Sequence, residues 1–272
     1  MNTIKVDALD QAAGLRRLFA TRGAQIVALT SAAVVNGRAQ MVAGAAATLA
    51  ARGRRVLLLD ENPAPRNALT EVGDVTRNAG DLLQVIRGDA SLAQATLNVN
   101  RNLATLGAVR LANAELPMTR RLADLLHEIE DSYDFVLVDC SASRTSQIST
   151  LGLHAHYLVI AVTAESNGIM QAYAQIKRLA QIHQREHFQI LVTGKANRDD
   201  ARNIFNNLRQ VAHEHLGVRL SYLGLANTGK SEMLADLIDT GFPLQPQAMG
   251  AMSGLAATLE RLGGVGTRNS VV

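Results

Sequence analysis

Residues 53–67 read GRRVLLLDENPAPRN, and the fold turns on the run RVLLL at 55–59 within them. A short apolar run with no polar alternation suits a strand covered on both sides, not one with a wet face. Runs of the same kind recur at 25–30 (QIVALT), 134–138 (DFVLV), 157–162 (YLVIAV) and 188–192 (FQILV), with weaker ones at 103–107 and 218–222. Helical patterning fills 40–51, 118–131, 168–183, 200–215 and 248–262 between and after them. Strand and helix in alternation predict an α/β fold, a mostly parallel twisted sheet with helices on both faces.

The chain has 272 residues and 47% hydrophobic content, enough to bury one substantial core. Its length also suits two small domains, but no linker, repeat or low-complexity segment divides it. With no tryptophan and 3% aromatic residues, the core must be filled by Leu, Val, Ile and Ala, and stacking platforms for single-stranded nucleic acid are not expected. The net charge of +3 comes with arginines dispersed along the chain, the pattern of a solvated surface more than of a nucleic-acid or membrane footprint. A lone cysteine, Cys140, excludes an internal disulfide and a multi-cysteine metal site and fits a reducing cytoplasm. No basic leader and no bilayer-length apolar run is present, so a cytoplasmic protein is expected, neither secreted nor membrane-spanning. Residues 1–22 carry their own helical pattern and read as an appended arm, 23–262 as one domain, and 263–272 (GGVGTRNSVV) as a frayed tail.

The arm contains Asp10-Gln11-Ala12-Ala13-Gly14-Leu15-Arg16-Arg17-Leu18, which resembles the DQAxxLR element of FlhG (FleN) proteins. On a helix Gln11 and Leu15 share a face that Leu18 continues, with Arg16 beside them. Such a helix can meet a partner or dock on its own domain. Further matches accumulate along the chain. Residues 53–67 resemble the family's GRRVLLLDADLGLAN, and 81–92 (DLLQVIRGDASL) its stretch before the third strand; 171–179 (QAYAQIKRL) resemble its DAYALIKxL helix, and 200–223 its EARxxFxxLxxVAxxFLxVxLxYLG segment. The resemblance implies the MinD/ParA-like P-loop NTPase fold, with ATP and Mg²⁺ as the family's ligands.

In that family the first strand enters a loop close to KGGxGKT, whose backbone N–H groups and following helix cradle phosphates. Here the corresponding stretch is Ala33-Val34-Val35-Asn36-Gly37-Arg38-Ala39. Only Gly37 survives unchanged. Ala33 replaces the signature lysine and Arg38 the phosphate lysine; valines replace two glycines, and Ala39 replaces the metal-binding hydroxyl. Valines resist positive φ, and Ala39 offers no oxygen to a metal, so tight Mg-ATP binding is not expected. Arg38 keeps a charge that can grip a phosphate, although its planar fork does not replace an ammonium geometrically. The family's two aspartates after the second strand become Asp60-Glu61-Asn62. The resemblance gives the second the task of orienting the attacking water, and Asn62 is an amide that cannot act as a carboxylate base. Asp139 stands at the Walker-B position, where it is either an indirect Mg²⁺ contact or a turn acceptor at a strand end.

Gly224-Leu225-Ala226-Asn227-Thr228-Gly229-Lys230-Ser231 fits GxxxxGK[ST] between a strand and a short helix at about 232–239. It is either a phosphate loop or a chance match at the last strand; by resemblance the loop lies near the adenine pocket, so Asn227 or Lys230 can touch a nucleotide without forming a cradle. His183 and His187 are four apart and can share a helix face, but no third ligand joins them. His154 and His156, like His213 and His215, are two apart and diverge on a helix, giving no metal site. No base is identified beside Cys140, which reads as a packed thiol.

The resemblance implies partners: an FlhF-like GTPase engaged through Asp10, Gln11, Leu15 and Arg16, and in some bacteria a FleQ-like transcription factor. It also implies an ATP-bound homodimer that reaches the inner membrane or cell pole through a C-terminal amphipathic helix. Residues 248–262 place Met252, Leu255, Leu259 and Leu262 at helical spacing with Arg261 alone as a basic residue, a pattern that suits core packing better than anchoring. The expected function is a regulator of flagellar number and placement with impaired hydrolysis. The alternatives are an active ATPase switch with a non-standard phosphate loop, or an anti-activator module for a transcription factor.

Overall fold

The computed structural model describes residues 24–32, 35, 37–65, 67–73, 80–111, 124–125, 128–129, 131–141, 148–153, 155–226 and 231–241. The arm, the tail, the 248–262 segment, Asn227 and Lys230 lie outside them, as do Asp10, Gln11, Leu15 and Arg16. In chain order the elements are β1 (Gln25–Ser31), α1 (Arg38–Ala51), β2 (Val56–Asp60), α2 (Ala68–Val72), α3 (Leu82–Arg87), α4 (Leu92–Ala95), β3 (Leu97–Asn98) and β4 (Leu103–Gly107). There follow β5 (Phe135–Asp139), α5 (Thr150–Leu153), β6 (Tyr157–Thr163), α6 (Ser166–His183), β7 (His187–Thr193), α7 (Arg198–Leu216), β8 (Arg219–Ala226) and α8 (Ser231–Gly241).

The strands form one eight-stranded sheet in the order β3-β4-β2-β5-β1-β6-β7-β8, parallel throughout except for the two-residue β3 against β4. Unbroken apolar strands are explained by cover on both faces. Ile26 and Ala28 of β1 point into a core built with Ala172, Ile176 and Leu179 of α6 and Phe205 and Leu208 of α7. Val27 and Leu29 point the other way, into a core built with Met41, Ala45 and Leu49 of α1 and Leu234 and Ile238 of α8. The residues of the central strands β2 and β5 therefore leave water whichever way they point, worth roughly 1.5–3 kcal/mol per large side chain.

Helix boundaries follow local chemistry. Asn197 caps α7 by accepting the Asp200 N–H at 2.8 Å, and Gly217 ends the helix in the left-handed region at φ 68. Asp81 and Gln84 of α3, and Ser91 and Gln94 of α4, form reciprocal capping boxes. Among the described residues, no helix is long and apolar enough to cross a membrane.

Parallel pairing places the carboxyl ends of β1, β2 and β5 side by side. In the register Asp60 lies opposite Asp139, and Asp139 opposite Leu29. Strand polarity thus delivers two aspartates to one edge of the sheet, on the face that α1 covers.

Candidate functional site

Helix α1 begins directly above these aspartates. Gly37 is its N-cap at φ 75 and ψ 11, a left-handed conformation with no side chain to cap the helix. The only glycine retained from the phosphate-loop pattern therefore keeps a backbone role, turning the chain into the helix. Arg38 opens the helix, its N–H donating to the Val35 carbonyl at 3.2 Å. No acidic residue stands in the first turn, so a cation at this helix N-terminus needs a counter-charge from elsewhere.

Asp139 supplies it. Arg38 Nε stands 3.1 Å from Asp139 Oδ1, Nη1 donates to the Cys140 carbonyl at 2.9 Å, and Nη2 donates to Asn62 Oδ1 at 3.0 Å. The Arg38 side chain is 11% exposed and the Asp139 side chain 0%. The Nε–carboxylate approach lacks hydrogen-bond alignment, and neither Asp139 oxygen accepts a hydrogen bond among the described residues. Burial consequently outweighs the arginine and pushes the Asp139 carboxyl up to about 7, with further pushes from Asp60 and Glu61.

Asn62 completes the network. Its backbone N–H donates to Asp60 Oδ1 at 2.8 Å, while its Nδ2 donates to Asp60 Oδ1 at 3.0 Å and to the Asp139 carbonyl at 3.0 Å. One amide thus accepts from Arg38 and donates to two acceptors, which an aspartate cannot do. The Leu69 N–H adds a third bond to Asp60 at 3.2 Å. Burial raises the Asp60 carboxyl above its usual range, opposed by these hydrogen bonds.

Glu61 faces the opposite side of the sheet. It is 2% exposed, takes the Ser149 hydroxyl on Oε1 and accepts the Ser141 N–H on Oε2 at 3.2 Å. Burial raises its carboxyl too. Neither Glu61 nor Ser149 belongs to a motif; the one signal in the sequence is an acid directly after a run buried on both faces. Cys140 is buried, and its thiol is pushed well above the usual range by that burial, which makes it inert.

Arg38, Asp60, Asn62 and Asp139 thus meet beneath the Gly37 turn, but the residues do not fit a magnesium-bound triphosphate. The guanidinium sits against Asp139, where a metal's charge would be needed. Ala39 turns its methyl onto the core behind α1, so no hydroxyl reaches the edge. Among the described residues Asp139 makes no capping or turn hydrogen bond.

Of the second candidate loop, only the strand residues that open it and Ser231 at the start of α8 are among the described residues. Gly224, Leu225 and Ala226 lie within β8, four strand positions from β5, about 19 Å at the usual spacing. Gly224 is at φ 151, and a Cβ there would meet Leu237 Cδ1 at 2.7 Å, so this glycine lets α8 close on the strand. The histidine pair separates: His183 ends α6 and His187 begins β7, so they share no helix face. Among the described residues no group of histidine, cysteine and carboxylate side chains suits a metal ion. His156 has a structural partner, its Nδ1 accepting the Ile26 N–H at 3.0 Å.

Comparison with known proteins agrees with this architecture. A family described as an AAA domain matches residues 25–190. The antiactivator FleN of Pseudomonas aeruginosa is 26% identical over 215 residues, 78% of this chain and 76% of that protein. The septum site-determining protein MinD of Helicobacter pylori is 26% identical over 146 residues, 53% of this chain and 54% of MinD. Among solved structures, a chain of the MinC:MinD cell division protein complex of Aquifex aeolicus superposes with a TM-score of 0.56 at 21% identity, covering 91% of this chain and 99% of that one. The cell division ATPase MinD of Pyrococcus furiosus gives 0.53 at 19% identity, over 88% and 99% of the two chains. The chain belongs to this AAA-domain family, with the MinD/ParA fold and a FleN-like sequence.

Proposed function

We propose that this protein is a FlhG/FleN-type regulator that acts through protein contacts, with ATP hydrolysis impaired. One observation carries the reading: Arg38 is spent on the protein itself, held by Asp139, the Cys140 carbonyl and Asn62. A cation engaged on three sides is not available to phosphate without dismantling that network. Asn62 further supports the reading, since its amide is tied to three groups and has no basic oxygen to orient water.

The output surface under this proposal is the arm, with Asp10, Gln11, Leu15 and Arg16 meeting an FlhF-like GTPase. Gln11→Ala should abolish stimulation of that GTPase while leaving the fold intact; undiminished stimulation refutes the assignment. A second reading, restraint of a FleQ-like transcription factor, is favoured by the relative named an antiactivator. Pull-down of the purified full chain against FlhF and FleQ separates the two. Residence in the cytoplasm and weak membrane association belong to the same proposal. The competing reading, an active switch, requires Mg-ATP turnover, which a phosphate-release assay on the full chain measures directly.

A further inference from the structure

The two edges of the sheet are finished differently. At one edge β3 is only two residues long and antiparallel, a form that blunts further pairing. At the other, β8 runs eight residues from Arg219 to Ala226 and pairs on one side only, with β7. Beyond it, among the described residues, no strand takes up the outward-facing backbone groups.

Beside this edge α7 presents a row of cations. Arg198, Arg202 and Arg209 project at spacings of four and seven residues, all exposed, and Arg219 at the start of β8 is exposed as well. The row faces the strand: Arg198 and Arg202 both act electrostatically on the Tyr222 phenol in β8. Arg209 lies 5.5 Å over the Phe205 ring, which itself stands 5.1 Å from the Tyr222 ring. Among the described residues none of these four arginines forms an ion pair, whereas Arg38, Arg52, Arg54 and Arg55 all do. The acids of α7 lie elsewhere: Asp199 and Asp200 occupy its first turn, and Glu214 bonds Gln210.

We infer that the β8 edge and the arginine row form a docking surface for an extended acidic peptide, added as a ninth strand with acidic side chains at alternate positions. Backbone pairing with β8 supplies the affinity, and the arginines choose the sequence. The spacing suits this occupant. Four residues of helix rise about 6 Å, and alternate residues of a strand are about 6.7 Å apart, so acids two apart meet arginines one turn apart. Only every second side chain of the added strand faces α7, which demands alternation of acids and not a simple acidic run. Duplex DNA would use the same charges but not the strand edge.

The test uses the full chain and synthetic peptides read by fluorescence anisotropy. A labelled peptide alternating Glu and Val should bind, and its Lys-Val counterpart should not. Methylating alternate backbone nitrogens of the Glu-Val peptide, which removes the donors needed for pairing, should abolish binding. The doubly charge-reversed variant R202E/R209E should bind the peptide at least about tenfold more weakly, with an unchanged circular dichroism spectrum. Amide exchange at 219–226 should slow when the peptide is bound. Equal binding of the N-methylated peptide, equal binding by the variant, absence of binding by the Glu-Val peptide, or displacement of it by duplex DNA at lower concentration would each overturn the inference.

Discussion

Helix α1 is held to aspartates near both ends, and the two attachments are physically different. At its start Arg38 is 11% exposed and lies against Asp139, which is 0% exposed. At its end Arg52 pairs with Asp236, and Arg54 just beyond pairs with Asp239 at 2.9 Å, with Arg54 50% exposed. The exposed pairs sit in water and are screened by salt, so they contribute little. The buried pair has no such shielding, and its loss leaves a desolvated carboxylate between Asp60 and Glu61. The same residue types therefore give a surface decoration at one end and an internal counter-ion at the other. This difference explains why an arginine can replace the family's lysine without leaving a free phosphate ligand.

Titration attacks the buried end. The Asp139 carboxyl moves from 3.8 to about 7 in the folded protein, with burial as the main cause. The folded state then holds its proton more tightly than the unfolded chain, so stability is fullest below the unfolded value and falls as pH rises to about 7. A shift of about three units at about 1.4 kcal/mol each gives a fall on the order of 4 kcal/mol, and Asp60 and Glu61 push the same way. Urea unfolding of the full chain between pH 4 and pH 8 should show this decline, and Asp139→Asn should flatten most of it. A rise in stability over the same range would contradict the buried-carboxylate description.

Removing the guanidinium comes next in size. Arg38→Ala should cost about 3 kcal/mol at pH 8, because Asp139 loses the cation beside it. The cost should shrink at pH 5, where Asp139 is protonated, and urea midpoints at the two values measure the difference. Asn62→Asp should cost about 2 kcal/mol, since it deletes two donors and sets another carboxylate beside Asp60. Its restoration of the family residue should thus weaken the fold without producing ATP turnover. At the exposed end, Arg54→Ala should change stability by no more than about 0.5 kcal/mol, and less in high salt. If Arg54→Ala and Arg38→Ala proved equally costly, the contrast between the two ends would fail.

The sheet was legible because its strands are buried on both faces. The runs at 25–30, 55–59, 134–138, 157–162 and 188–192 each fall within a residue or two of a strand, and 103–107 coincides with β4. The last strand was read short, ending at 222, because Gly224 and the bulge beside Ile190 and Leu191 interrupt its pattern. The two-residue β3 carries no periodicity at all. Helices α3 and α4 were missed although their capping boxes, Asp81 with Gln84 and Ser91 with Gln94, stand openly in the sequence; they are too short for a 3.6-residue period to show. At the site, the substitutions at 38, 39 and 62 were readable, but their meaning depends on strand register. Only the pairing of Asp60 with Asp139 reveals that Asn62 must donate twice and that Arg38 has a carboxylate to meet. The edge arginines escaped notice for a related reason: scattered in sequence, they align only when α7 is wound beside β8.

On the function proposed above, Arg38 closes the site against nucleotide by binding the protein's own groups. Isothermal titration of the full chain with Mg-ATP at pH 7.5 tests it most directly. A closed network predicts no saturable heat up to roughly millimolar nucleotide; one-site binding with a dissociation constant of about a micromolar, lost in Arg38→Ala, would contradict it.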